Sequence, residues 1–335
     1  MKRVLVAALL PLTMACVGLR TIGYYANAVL DGEASTTVEN APPLQPNGLR
    51  SFGTDSAVVR LFVIGDWGSG SSLQRDVAVA MARIARSEHP HAIVSTGDNF
   101  YPSGVESADD RLFHDRWESV YADSALMVPW IVALGNHDHR GNIAAQIEYS
   151  QRNRRWYMPA PYYTARVVSG GTSVMLFVLD TDSLLSDRAN RARQLRWLDS
   201  ALSVSDATVR LVVGHHPVRS YGLYGDTRVL VEQLAPILDR HGVVVYLCGH
   251  EHDLQIVVHP DDRFTCVVSG GGGHARRTRY GQYSRCAWTG GGFAYLVCRR
   301  DGSVLVQIVA RDGRIVCSDS LPAGVHRQGL EPRTR

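Results

Sequence analysis

From Val58 onward the chain is punctuated by apolar runs of strand length: "VVRLFVI", "HAIVST", "PWIVAL", "SVMLFVLD", "TVRLVVG" and "VVVYLCG". Between them the apolar positions take helical spacing, over residues 73–88, 109–121, 189–203 and 227–240. A continuous apolar run marks a strand buried on both faces. Such strands alternating with helices predict an α/β fold whose sheets are covered by helices. After Leu254 the helical spacing stops, and hairpin-like strands follow, separated by "DD", "GGGG", "GGG" and "DG" turns. Upstream of Val58 the pattern is different: residues 29–57 are rich in polar residues, Gly and Pro and read as a linker.

The N-terminus, "MKRVLVAALLPLTMACVGL", sets two basic residues before a short apolar stretch that contains Pro11, the pattern of a secretory signal. "ANA", with Ala26 and Ala28, offers a cleavage site, and Cys16 after Ala15 offers a lipid-attachment site. An uncleaved anchor is the third outcome. All three imply export, with membrane contact only through this segment when it is lipidated or retained. The chain therefore divides into a signal segment at 1–28, a linker at 29–57, a folded domain at 58–320 and a polar tail at 321–335.

Composition narrows the function classes. Hydrophobic residues make up 45% and charged residues 20%, and 335 residues suffice for one large domain or two small ones. A net charge of +3 is too small to argue for nucleic acid as a partner. Lys2 is the single lysine, so almost all positive charge is arginine, whose fork binds oxyanions bidentately. Cys248, Cys266, Cys286, Cys298 and Cys317 match no zinc motif and read as buried thiols, with a late disulfide allowed.

The strand ends carry the chemistry. "VVRLFVI" ends in "GDWG", "AIVST" in "GDNFY", "WIVAL" in "GNHDH", "RLVV" in "GHHP" and "VVYLC" in "GHEH". Ligands of α/β sheets sit beyond the carboxyl ends of the strands, so these tips are expected to converge. Together they offer Asp66, Asp98, Tyr101, Asn136, His215, His250 and His252. Seven oxygen and nitrogen donors are too many for one tetrahedral zinc; they suit two octahedral ions that share a carboxylate.

These motifs resemble the calcineurin-like metallophosphoesterases and, more narrowly, the small, mammalian-type purple acid phosphatases, also called tartrate-resistant acid phosphatases. The resemblance runs from Leu61 to Ile308 and includes "GNIAAQIEYS", "RRWYMPAPYY", "YLCGHEHDLQ" and "GGFAY". It implies a four-layer αββα sandwich of two mixed sheets. It also implies that Asp66, Tyr101 and His252 bind ferric iron, that Asn136, His215 and His250 bind a second, divalent Fe, Zn or Mn, and that Asp98 bridges both. The implied activity is hydrolysis of phosphate monoesters, small esters or phosphoproteins, by a metal-bound hydroxide at acidic pH. The three anionic donors do not neutralise such an ion pair, so the centre attracts phosphate. A monomer is expected.

His137 resembles the family's phosphate-contacting histidine, and Asp138 either orients that imidazole or caps a turn. Of the adjacent His215 and His216, the alignment favours His215 as the ligand. Tyr224, in "SYGLYGD", stands where the mammalian enzymes have a second substrate-side histidine; a phenol donates a hydrogen bond but is a weaker acid. Glu251 and Asp253 replace the usual Asp and Asn. The segment "HARRTRYGQYSR" at 274–285 is either a solvated loop or a basic collar for phosphorylated substrates. Two rival readings stand beside this one: a phosphodiesterase or pyrophosphatase of the same superfamily, which would share every ligand, and a non-catalytic, membrane-held scaffold on the same fold, which predicts lost ligands.

Overall fold

The computed structural model of the chain describes residues 57–323 and the backbone of residues 49–51. The signal segment with Cys16, the rest of the 29–57 linker and the tail from residue 324 lie outside the described residues. In chain order the strands are β1 (Leu49–Ser51), β2 (Val58–Ile64), β3 (Ala92–Ser95), β4 (Trp130–Val132), β5 (Trp156–Tyr157), β6 (Tyr163–Ser169), β7 (Thr172–Val178) and β8 (Val209–Val213). They continue as β9 (Val245–Cys248), β10 (Leu254–Val257), β11 (Thr265–Ser269), β12 (Ser284–Trp288), β13 (Gly292–Arg299), β14 (Val304–Ala310) and β15 (Ile315–Leu321). The α-helices are α1 (Ser72–Glu88), α2 (Ile143–Arg152), α3 (Thr181–Ser186), α4 (Arg188–Ser203), α5 (Arg228–Gln233) and α6 (Ala235–Arg240).

An eight-stranded sheet has the order β1-β6-β7-β8-β9-β11-β10-β12, and a seven-stranded sheet the order β15-β14-β13-β2-β3-β4-β5. β2, β3 and β4 pair in parallel in the second sheet, and β7, β8 and β9 do so in the first. β13, β14 and β15 pair antiparallel, which makes the sheet mixed.

The side-chain period of two explains the layers. Val174, Leu176 and Val178 of β7, Val209, Leu211 and Val213 of β8, and Val245 and Leu247 of β9 share an apolar core with β2, β13 and β14. One residue out of step, Phe177, Val212, Tyr246 and Cys248 join a second core with Leu184, Leu198, Leu202, Leu230 and Leu238 of the helices α3 to α6. The eight-stranded sheet thus presents one face to its partner sheet and the other to helices, as continuous apolar runs require. α1 buries Val77, Met81 and Ala85 in the large core. The architecture is the four-layer αββα sandwich.

Two helical expectations change in detail. The apolar stretch 227–240 forms two helices, α5 and α6, because Pro236 lies in the first turn of α6 and cannot donate the amide bond that would continue α5. Residues 109–121 contribute only a π-helical turn, Phe113–Glu118, which buries Phe113 and Trp117 among Tyr149, Trp130 and Trp156. After β10 the described residues contain strands and no helix, as the turn spacing predicts. Cys286 of β12 and Cys317 of β15 form a disulfide between the two sheets, and Cys248, Cys266 and Cys298 are buried thiols.

Candidate metal centre

All five strand tips meet. β2, β3 and β4 end side by side in the seven-stranded sheet and deliver Asp66, Asp98 with Tyr101, and Asn136; β8 and β9 end side by side in the eight-stranded sheet and deliver His215, His250 and His252. The glycines before Asp98, Asn136 and His250 make room for a donor from another tip. A Cβ on Gly135 would lie 2.3 Å from Asp98 Oδ1, and one on Gly249 would lie 2.4 Å from Asp66 Oδ2. Among the described residues, five non-glycine residues have positive φ, and four of them are Asp66, Asp98, His250 and His252. Backbone strain is concentrated where the donors turn inward.

The distances define two clusters with one shared member. In the first, the Tyr101 hydroxyl lies 3.1 Å from Asp66 Oδ1, 2.9 Å from Asp98 Oδ2 and 3.2 Å from His252 Nε2. In the second, Asn136 Oδ1 lies 3.1 Å from both His215 Nε2 and His250 Nδ1, and those two nitrogens are 3.2 Å apart. Asp98 Oδ2 also lies 3.5 Å from His215 Nε2, so its carboxylate belongs to both clusters. The His215 ring is oriented from behind: its Nδ1 is 2.9 Å from the Thr96 carbonyl, which can only accept, so Nε2 presents its lone pair to the cluster.

This donor set fits metal cations. Asp66 and Asp98 are buried, and among the described residues neither pairs with an arginine; their side-chain partners are imidazoles and Tyr101, and each accepts one backbone amide, from His250 and His137. Burial, followed by the charges of Asp66 and Asp98, pushes the Tyr101 phenol well above its usual range. Buried carboxylates, a phenol and lone pairs of imidazole facing one another are costly without positive charge at their centre. Asp66, Asp98 and His252 alone place three ligand atoms within 4.8 Å of one another.

A sequence profile of the calcineurin-like phosphoesterases matches residues 59–254. The chain is 37% identical over 273 residues to tartrate-resistant acid phosphatase type 5 of Sus scrofa, covering 71% of this chain and 80% of that one. The chain belongs to the purple acid phosphatases of the calcineurin-like phosphoesterase family. Purple acid phosphatase 3 of Arabidopsis thaliana is 33% identical over 272 residues, 75% of this chain and 71% of its own. A solved structure of similar fold is GAP50, the anchor in the inner membrane complex of Plasmodium, with a TM-score of 0.73 at 23% identity over 80% of this chain and 90% of that one. A dinuclear metal centre is common to the purple acid phosphatases, and the shared carboxylate gives this member a place for one.

Around the clusters, the structure separates the remaining candidates. His137 Nδ1 lies 2.6 Å from the Pro102 carbonyl, and its Nε2 is 4.0 Å from Asp98 Oδ2 on the site side. Asp138 is not brought to that imidazole. Its carboxylate accepts from the Gly135 amide at 2.8 Å, the Asn99 amide and side chain, and Gln146 at 2.9 Å, so it anchors the turn that carries Asn136. His216 turns away to Thr181 Oγ1 at 3.0 Å, leaving His215 in the cluster. The Tyr224 ring stacks over His250, with centroids 4.4 Å apart at 28°. His274 stacks on His252 at 4.9 Å and meets Tyr101 edge-on at 4.6 Å, which no periodicity in the sequence signals. Its position in the basic 274–285 segment was the available clue.

Proposed function

We propose that the chain hydrolyses phosphate monoesters with ferric iron held by Asp66, Tyr101, His252 and Asp98, and a divalent Fe, Zn or Mn held by Asn136, His215, His250 and the same Asp98. The observation that supports this most is the double membership of Asp98, whose Oδ2 is 2.9 Å from the Tyr101 hydroxyl and 3.5 Å from His215 Nε2. The metal pair, when bound, supplies the charge that draws in the ester and lowers the pKa of the attacking water, ferric iron more so than a divalent ion, which suits an acidic optimum.

The chain's own groups do the rest. The Pro102 carbonyl holds His137 Nδ1, so Nε2 is the atom left to meet an ester oxygen. Asp138 keeps the Asn136 turn in place through the Gly135 amide. Tyr224 offers its hydroxyl from above His250 as a hydrogen-bond donor to the ester. The disulfide between the sheets suits an oxidising compartment and thus export. No described helix is long and apolar enough to cross a membrane.

The reading is tested on the purified protein by metal analysis, colour, and turnover of phenyl phosphate against bis-phenyl phosphate. A violet solution that bleaches with strong reductant, contains iron and prefers the monoester is expected. A preference for the diester moves the chain to the diesterase alternative, and a metal-free protein with no turnover leaves a scaffold.

A further inference from the structure

The loop that carries Tyr224 is fastened from below. Glu251, fully buried, accepts from Ser220 Oγ at 2.9 Å, from the Tyr224 amide at 3.1 Å and from the Gly225 amide at 3.0 Å. Gln255 Oε1 accepts from the Tyr221 amide at 2.8 Å. The loop packs so closely that a Cβ on Gly222 would lie 2.4 Å from the Glu251 carboxyl carbon. Tyr224 is therefore a fixed wall over His250, although its side is 41% exposed.

A cation is docked on this wall. The Arg276 amide donates to the His252 carbonyl at 2.9 Å, its Nη1 donates to the Tyr224 hydroxyl at 3.1 Å, and Cζ is 5.6 Å from the Tyr224 ring centroid. Among the described residues Arg276 forms no ion pair with a carboxylate. One neutral hydroxyl and one ring face leave most of the guanidinium fork and its full charge for a visitor. Arg277 and Arg279, exposed on the same segment, add to the positive field. The fork reaches the hydroxyl of the Tyr224 ring that stacks on His250, which sets it at the edge of the proposed centre, where the alcohol half of a bound ester can meet it.

We propose that Arg276, braced by Tyr224, is a specificity-determining residue that binds an anionic group on the alcohol half of the ester. The favoured substrates are phosphate monoesters whose leaving group carries a carboxylate or a second phosphate. This rests on the phosphatase reading above.

The test compares phenyl phosphate with 4-carboxyphenyl phosphate, which differ by one distal charge, using metal-loaded wild type, Arg276→Met and Arg276→Lys. Wild type is expected to favour the carboxylated ester about tenfold in kcat/KM, the order of one charge-assisted hydrogen bond. Arg276→Met should lose that preference while turning over phenyl phosphate within about twofold of wild type, and Arg276→Lys should keep part of it. The proposal is overturned by equal turnover of both esters in wild type, or by Arg276→Met losing the same factor on both, which would place Arg276 on the transferred phosphoryl group. A wild type that turns over neither ester removes the phosphatase reading itself. Retained phenyl phosphate turnover in the variant also shows that it folds.

Discussion

The seven-stranded sheet supplies every oxygen donor of the proposed centre, Asp66, Asp98, Tyr101 and Asn136, whereas the eight-stranded sheet supplies every imidazole, His215, His250 and His252. Each proposed metal position draws on both. The first combines Asp66, Asp98 and Tyr101 with His252; the second combines Asn136 and Asp98 with two histidines. Neither sheet alone can assemble either position, so the centre forms only when the sheets pack. Metal binding and inter-sheet packing are then coupled, because ions that bind only the packed state stabilise it. The split also sorts charge: the oxygen-rich position matches a harder, more highly charged ion, and the imidazole-rich one a borderline divalent ion.

The strongest way to break this picture is Asp98→Asn, which weakens the one group belonging to both clusters. Loss of both metals by elemental analysis and a fall in kcat/KM of about 10³-fold or more is expected, since metal charge stabilisation is worth several kcal/mol at 1.36 kcal/mol per tenfold. An unchanged metal content would deny Asp98 its bridging place. Next in size is metal removal: calorimetry of chelated and reloaded protein should show stabilisation of about 4 kcal/mol when free metal stands near 1,000 times its dissociation constant. Equal melting temperatures would mean that the sheets pack without help from the centre.

Two inter-sheet ties away from the donors sharpen the comparison. Cys286→Ser releases the link between β12 and β15, whose cysteines are 31 residues apart, and should cost about 3–4 kcal/mol of unfolding free energy in urea titrations by the chain-entropy account. The smaller effect belongs to His139, which follows β4 and lies 2.8 Å from Asp180 at the end of β7. Burial disfavours its charged form, but the charge and hydrogen bond of Asp180 with the charge of Asp182 overcome this and raise its pKa to about 9. Because the folded pKa is the higher one, this stabilisation is complete below about pH 6.5 and disappears as pH rises through about 9. His139→Gln should therefore lower stability by about 1–3 kcal/mol at pH 6 and by little at pH 10. A difference independent of pH would exclude the ion pair as its cause.

Much of this centre was readable in one dimension. A glycine followed by Asp, Asn or His at five strand ends is a local pattern, and strand direction in an α/β fold already aims such ends at a ligand. Asp138 and His139 show the limit. Both stand in the same "GNHDH" motif, yet one carboxylate turns inward to Asn99 and Gln146, and the imidazole beside it reaches across to the other sheet. Spacing in the chain does not encode which way a turn rotates its side chains. Glu251 is similar: it lies between His250 and His252 in the chain, yet its carboxylate turns away from them to hold the Tyr224 loop.

By itself, the amino-acid order determined the alternation of strands and helices and the double-faced burial of the strands, and it singled out the seven candidate donors, because these follow from periodicity and from residue chemistry at strand ends. Tertiary structure alone decided that oxygens and imidazoles come from opposite sheets, that His274 stacks on His252, and that Arg276 docks on Tyr224. Those are contacts between segments as far apart as Asp66 and His250, and the packing of two sheets sets such distances, not the spacing along the chain.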